Sequence, residues 1–425
     1  MQRCLCQRRT AFLLRLRRRL RLSGKPVASL DSPSLPPPRA TAVLRWDIFC
    51  HVIDNYGDAG IAWRLARQLV AEQGQQVQLW LDDLPVLAAL VPGVDENADR
   101  QCIDGVWLRQ WLPDWQPEPV ADVVVETFGC NIPAEYIDAM AASERPVLWL
   151  NLEYLSAEPW VEGCHGLPSK LPGNLQKYFF FPGFTDKTGG LLREADLLAQ
   201  RDAFQGSKAE KIACLQSYDV RPEPQAMLIS LFSYEVPALA GWLDDLREGE
   251  PVCLLIPQGR VWGDVERWLG VEALAVGEQY RRGSLTLHAL PFAAQDDYDR
   301  LLWCCDFNIV RGEDSFVRAQ WSGRPFLWHI YRQDDDAHRV KLEAFLALYL
   351  ASFSETCGAA LRQFWLDWNT GAELGDSWRT LRSERTGLQP GAQRWCEAQS
   401  QHENISQQIV TFAREGLIIA PADLA

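Results

Sequence analysis

Two short phrases of the chain combine residue types that can do chemistry. The first, Asp54-Asn55-Tyr56-Gly57-Asp58-Ala59-Gly60, sets two carboxylates four residues apart on a glycine-containing turn. Crowding and partial burial raise the pKa of one member of such a pair and prepare it to accept a proton. An ordinary helix cap also accounts for Asp58, since Asp is favoured where helices begin. The second phrase, Arg311-Gly312-Glu313-Asp314-Ser315-Phe316-Val317-Arg318, follows an apolar run and opens a helix. Unpaired helix N–H groups, the positive end of the dipole, the Ser315 hydroxyl and Arg311 together make a diphosphate cradle. Glu313 stands at its edge, where it can accept a sugar hydroxyl. Here too a plain cap, Asp314 or Ser315, is the alternative.

Between these phrases lies Leu290-Pro291-Phe292-Ala293-Ala294-Gln295, a strand-to-helix turn whose aromatic face and amide can stack on and hydrogen-bond a nucleobase. A core Phe is the plainer reading of Phe292. Three further loops, 153–156, 181–190 and 232–235, carry glycines, hydroxyls and aromatics suited to sugar or phosphate contacts. Neither a GxGxxG nor a GxxxxGK[ST] phrase occurs, which argues against nicotinamide and P-loop chemistry. Without a CxxC, an HExxH or metal-like histidine spacing, no metal and no cofactor are expected; His329 and the vicinal Cys304–Cys305 read as structural.

These phrases need strands and helices to position them. The 425 residues are enough for two or three domains at ~100–200 residues each. With 47% hydrophobic and 23% charged residues the composition is globular. The first 45 residues hold 11 basic residues and one acidic, a net +10, so the remaining chain carries −24 of the −14 total. An acidic body repels phosphate backbones and anionic membranes, so neither nucleic acid nor a membrane is expected as a partner, whereas a cationic one is. Residues 1–45 are arginine-dense and then Ser/Pro-rich, too interrupted to span a bilayer. They read as a disordered extension without catalytic work, from a mis-assigned start codon or a transit-type leader, and we favour the former. Twelve cysteines without a secretory signal fit reduced thiols in a cytoplasm.

From Trp46 the pattern becomes strand, glycine turn, helix, with a stripe at Ile61, Leu65 and Leu69 beside Ala62, Ala66 and Val70. Strands are predicted at 46–53, 77–81, 123–125 and 147–152, and again at 227–232, 252–256, 285–290, 307–310 and 325–330. Helices are predicted at 238–246, 297–302, 315–321 and 338–350, with one closing helix at 393–416. Alternation of this kind predicts two doubly wound α/β domains, 46–220 and 221–390, facing a cleft, with 391–425 packing back on the first.

Taken in order, the phrases Ile53-Asp54-Asn55-Tyr56-Gly57-Asp58, Phe181-Pro182-Gly183-Phe184-Thr185, Gln295-Asp296-Asp297-Tyr298-Asp299-Arg300-Leu301-Leu302-Trp303 and 311–321 resemble the EarP family. These are bacterial protein-arginine rhamnosyltransferases that modify elongation factor P, and the resemblance covers the chain from about Trp46 onward. It implies a GT-B glycosyltransferase fold of two Rossmann-like domains, an N-terminal acceptor domain, a C-terminal donor domain, dTDP-β-L-rhamnose as donor, and metal-independent inversion. By motif, Asp58 resembles the general base, Asp54 its acidic partner at the acceptor guanidinium, and Glu313 an essential donor-site acid. Asp314 and Ser315 match diphosphate-contacting positions, Phe292 and Gln295 the thymine pocket, and Tyr234 a nucleotide-side aromatic. The expected substrate-contacting set also takes in Asn55, Tyr56, Gln258 and Arg311.

Such an assignment suits the chemistry. A guanidinium with a pKa of ~12.5–13.8 is a poor nucleophile until its charge is localised and a proton removed, which paired carboxylates can do. The alternatives are a GT-B enzyme with another nucleotide sugar or acceptor, or a non-catalytic elongation factor P-binding protein.

Overall fold

Strand β1 (Arg45–Cys50) turns Trp46, Ile48 and Cys50 to one face and Asp47 and Phe49 to the other, and all five are buried. A strand covered on both faces belongs inside a parallel sheet. In the computed structural model, β1 pairs in parallel with β2 (Gln76–Leu81) on one side and β5 (Val123–Thr127) on the other. The structure describes residues 43–53, 56–111, 119–171, 175–333 and 336–419. The expected 1–45 extension therefore lies outside the described residues up to 42, and Arg45 is already the first residue of β1.

The first sheet also contains β3 (Arg100–Ile103), β4 (Val106–Gln110), β6 (Leu148–Leu152), β7 (Pro168–Lys170) and β8 (Gln176–Phe180), in the order β3-β4-β2-β1-β5-β6-β8-β7. Only the edge strands β3 and β7 run antiparallel to their neighbours. Helix α1 (Tyr56–Ala71), α2 (Leu84–Leu90) and α3 (Ala134–Ala141) cover the sheet. Trp46, Ile48 and Cys50 join Ile61, Ala62, Leu65 and Ala66 of α1 in one apolar core. On the opposite face, Phe49, Trp80, Val124 and Trp149 pack with Tyr136 and Met140 of α3. Removing each of the larger side chains Ile48, Ile61 and Leu65 from water contributes about 1.5–3 kcal/mol, which fixes α1 on the sheet.

Helices α4 (Leu197–Gly206) and α5 (Lys208–Ser217) lead into the second half. Its sheet runs β11-β12-β10-β9-β13-β14, formed by β9 (Met227–Leu231), β10 (Val252–Pro257), β11 (Gln279–Arg282), β12 (Leu285–Leu290), β13 (Phe307–Arg311) and β14 (Phe326–His329). Helices α6 (Leu239–Glu248), α7 (Trp262–Leu269), α8 (Gln295–Cys304), α9 (Glu313–Trp321) and α10 (Ala337–Tyr349) alternate with these strands. The chain closes with α11 (Glu355–Thr370), α12 (Gly375–Ser383), α13 (Arg385–Ser400) and α14 (Ile405–Ile419). Both α4 and α5 pack on α8, although they precede β9 in sequence. Helix α14 lies on α1 and β6 of the first half.

Three expectations need correction. The first strand stops at Cys50, because Asp82 accepts the Val52 N–H at 2.9 Å and holds the chain outside the ladder. The expected turn 54–60 is mostly helix: α1 begins at Tyr56, so Gly57, Asp58 and Gly60 lie in its first turns. The closing helix is two helices. Asn404 Oδ1 accepts the Gln407 N–H at 3.0 Å while Gln407 Oε1 accepts the Asn404 N–H at 3.3 Å, a reciprocal capping box that restarts the chain as α14.

The strand orders place the chemistry. In the first sheet the order reverses between β1 and β5, and in the second between β9 and β13. Crevices open at such reversals, outside the carboxyl ends of the strands. The β1–α1 and β13–α9 connections, which carry the two phrases singled out by residue type, both leave strand ends at those points.

Candidate active site

At the exit of β13, Arg311 is buried with its guanidinium carbon 4.7 Å from the ring centre of Phe232 and 4.9 Å from that of Tyr234. Stacking between two rings holds the cation in place. Gly312 follows with φ 68° and ψ −178°, a region essentially closed to residues with a Cβ. This kink turns the chain directly into α9, whose N-terminus receives no side-chain cap from Gly312. A helix N-terminus presents its first N–H groups and the positive end of the helix dipole, the setting in which anions bind.

A pocket of about 540 Å³ opens at this helix end. It is lined by Gly312, Glu313, Asp314, Ser315, Arg311, Phe232, Phe292, Gln295 and Tyr298 of the second half and by Tyr56, Gly57 and Leu90 of the first. Tyr56 and Phe292 meet across it with ring centroids 4.3 Å apart. Gln295 Nε2 donates to Asp314 Oδ2 at 3.1 Å, and since a carboxylate only accepts, this fixes the amide orientation. Gln295 Oε1 is left buried with no partner among the described residues, an acceptor waiting for a donor.

Glu313 joins the two halves. Its Oε1 accepts the backbone N–H of Leu155, from the first half, and lies 3.8 Å from Lys341 Nζ on α10. Asp58 is only 2% exposed and does not line the pocket. Its Oδ2 accepts the Ile53 N–H at 2.9 Å, and its Oδ1 accepts the Tyr154 hydroxyl at 3.2 Å. Tyr154 stacks on Phe128 with centroids 4.3 Å apart. Phe128 sits in the left-handed region at φ 56°, an uncommon conformation for a bulky residue, at the exit of β5.

The structure thus gathers Tyr56, Phe292, Gln295, Arg311, Glu313, Asp314 and Ser315 around one pocket. Tyr234 stands behind Arg311, against His329 at a centroid distance of 5.2 Å. Burial pushes the His329 imidazole down to about 3, so it is neutral at physiological pH. Gln258 is exposed just beyond β10, its backbone N–H donating to Leu290 O at 3.0 Å, and does not line the pocket. Asp54 and Asn55 lie outside the described residues.

Residue patterns missed two groups. Lys341 lies on a helix whose chemistry no local phrase advertises. Arg64, inside the apolar stripe of α1, is 1% exposed and bonded to Asp299 and Asp314 of the second half. A lone Arg in a buried helix face was the available signal. Among the described residues no group of three or more His, Cys, Asp or Glu is placed to hold a metal ion. No helix among them is long and apolar enough to cross a membrane.

Two doubly wound halves whose switch points share one pocket make up the GT-B fold. A crystal structure of a glycosyltransferase from Rickettsia africae ESF-5 has the same fold, with a TM-score of 0.50 and 9% identity, covering 90% of this chain and 100% of that one. Residues 46–414 match the family model described as Elongation-Factor P (EF-P) rhamnosyltransferase EarP. The protein-arginine rhamnosyltransferase of Pseudomonas putida KT2440 is 55% identical over 373 residues, 88% of this chain and 99% of that protein. That of Pseudomonas aeruginosa PAO1 is 52% identical with the same coverage. A solved structure described as the structural basis for EarP-mediated arginine glycosylation of translation elongation factor EF-P has a TM-score of 0.64 and 41% identity, covering 88% of this chain and 99% of that one. The chain belongs to the EarP family and is a protein-arginine rhamnosyltransferase.

Proposed function

We propose that the chain transfers rhamnose from dTDP-β-L-rhamnose to an arginine of elongation factor P, inverting the anomeric carbon without a metal ion. The observation that carries this reading is the pocket at the start of α9, which brings together a helix N-terminus, Arg311 and, among the described residues, the unpartnered Gln295 Oε1. The amides of the first turn and the Ser315 hydroxyl suit the diphosphate, and Arg311 adds a fixed cation. A thymine ring fits against Phe292, with its N3–H donating to Gln295 Oε1. These donors stabilise the negative charge that develops on the departing dTDP.

On the facing side, an arginine of the acceptor protein is recognised by carboxylates. Asp58 is proposed to take the guanidinium proton as the C–N bond forms, with Asp54 holding the other edge of the fork. At 2% exposure Asp58 is covered, so the guanidinium reaches it only when the covering groups part. Glu313, bonded to the first half through Leu155 and lining the pocket beside Asp314, is proposed to accept a rhamnosyl hydroxyl. The ten cysteines among the described residues are all free thiols, in keeping with the bacterial cytoplasm, where a translation factor is found.

The test offers the full chain elongation factor P with dTDP-rhamnose, UDP-glucose or GDP-mannose in parallel, and determines the anomeric configuration of any product by NMR. Transfer from dTDP-rhamnose alone, giving an α-rhamnosyl arginine, is expected. Preference for another donor, or a retained configuration, would contradict the proposal.

A further inference from the structure

Arg64 lies on α1, six residues after Asp58 and so about 9 Å further along the same helix. It is 1% exposed, and its shorter bonds run to the second half. Its Nε donates to Asp314 Oδ1 at 2.8 Å, and its two terminal nitrogens donate to Asp299 at 3.1 and 3.2 Å. A weaker contact at 3.5 Å reaches Glu194. Burial opposes the guanidinium charge, but Asp299, Asp314, Glu194 and Asp296 together outweigh it and raise its pKa. Arg318 on α9 is also buried and shares Asp299 and Glu194, with 2.7 Å to Glu194 Oε2, and its bonds go to these two carboxylates rather than to Asp314.

Asp314 occupies the start of α9, beside the expected diphosphate. Both its oxygens are engaged, Oδ1 by Arg64 and Oδ2 by Gln295. A carboxylate in this place repels a diphosphate unless a cation neutralises it, and Arg64 does so from the other half of the molecule. Gly60, one turn before Arg64 on the same helix face, permits the approach: a Cβ there would stand 2.8 Å from Gln295 Nε2.

We propose that Arg64 is a positioning residue for transfer: by binding Asp314 across the cleft it sets the register between the helix that carries Asp58 and the helix end that holds the donor diphosphate. The inference rests on the donor and acceptor sites proposed above. It assigns the Asp314 carboxylate to Arg64 and Gln295, leaving only the Asp314 amide for phosphate. Lysine cannot reproduce this tie, because an ammonium lacks the planar fork that reaches Asp314 and Asp299 together.

The test compares Arg64→Lys, Arg318→Lys and wild type, full chains with elongation factor P and dTDP-rhamnose, by steady-state kinetics, dTDP calorimetry and thermal melting. Arg64→Lys should lose at least tenfold in kcat while its dTDP affinity stays within threefold. Arg318→Lys should keep kcat within threefold, whatever its loss of thermal stability. Unchanged kcat in folded Arg64→Lys would overturn the proposal, as would a dTDP affinity that falls with kcat, or equal losses in both variants. Should Arg64→Lys not fold, Asp314→Asn, which weakens the same tie from the other side, decides by kcat at saturating dTDP-rhamnose: a loss of at least tenfold supports the proposal and an unchanged kcat overturns it. A wild type inert toward dTDP would overturn the functional reading and this inference together; an active wild type matched by Arg64→Lys overturns this inference alone.

Discussion

The Tyr154 hydroxyl donates to Asp58 Oδ1 at 3.2 Å, joining the strand end after β6 to the first turn of α1. Tyr154 is in turn backed by the ring of Phe128, whose backbone lies in the left-handed region. A neutral hydrogen bond of this kind contributes about 1 kcal/mol to holding the carboxylate in one orientation. Tyr154→Phe should therefore lower kcat by roughly fivefold to tenfold. Because the pocket at α9 is untouched, dTDP affinity should not change. Parallel kinetics and calorimetry check this; full activity in Tyr154→Phe would show that Asp58 needs no such support.

Gly60→Ala separates folding from function. A methyl group in α1 improves helix propensity by about 1 kcal/mol, while overpacking costs about 1–3 kcal/mol. The nearest atom is the end of the Gln295 side chain, which can move but only by leaving Asp314. Thermal stability should therefore change little, whereas dTDP affinity should fall roughly fivefold, the equivalent of one neutral hydrogen bond. Calorimetric titration with dTDP reads this directly, and an unaltered affinity would mean that Gln295 is not held for the nucleotide.

Asp47 supplies a pH-dependent stability signature in the first half. Burial, only partly offset by bonds from Tyr136, Trp80 and Gln78 and by the Arg45 charge, pushes its carboxyl up to about 6. A folded pKa above the unfolded value near ~3.9 means that the folded chain holds this proton more tightly. The stability it contributes is fully present below the unfolded pKa and is lost as pH rises through about 6. The total loss is about 3 kcal/mol, of which about 1 kcal/mol falls between pH 5 and 7.5. Asp47→Asn has no carboxyl to ionise. Urea unfolding should show it gaining about 1 kcal/mol on wild type between those pH values; a constant difference would contradict the burial argument.

Much of this architecture is visible in the chain itself, because buried parallel strands such as 227–231 and 252–257 are short apolar runs between helical stripes. Arg311-Gly312 was readable for the same reason: a cation and a glycine between an apolar strand and a helix have few other uses. Some local signals were present and passed over. Asp104-Gly105, both at positive φ, turns the β3–β4 hairpin, and Asn404 with Gln407 forms a capping box inside an apparently continuous helix. Other features could not be read locally. Arg64 meets Asp314 across 250 residues of sequence and Glu313 meets Leu155 across 158, and no periodicity within one helix records such partners. Nor does the spacing of Asp54 and Asp58 tell that Asp58 is enclosed, since its cover comes from Tyr154 and the chain before α1.

The proposed transfer requires the pocket at α9 to work with a carboxylate on α1 against an arginine of another protein. Intact-mass analysis and peptide mapping of elongation factor P, after incubation with dTDP-rhamnose and either wild type or Asp58→Asn, test that most directly. The predicted result is one deoxyhexose on a single arginine with wild type and none with Asp58→Asn, while both proteins bind dTDP with affinities within threefold. An unmodified factor with wild type, or full modification by Asp58→Asn, would contradict it.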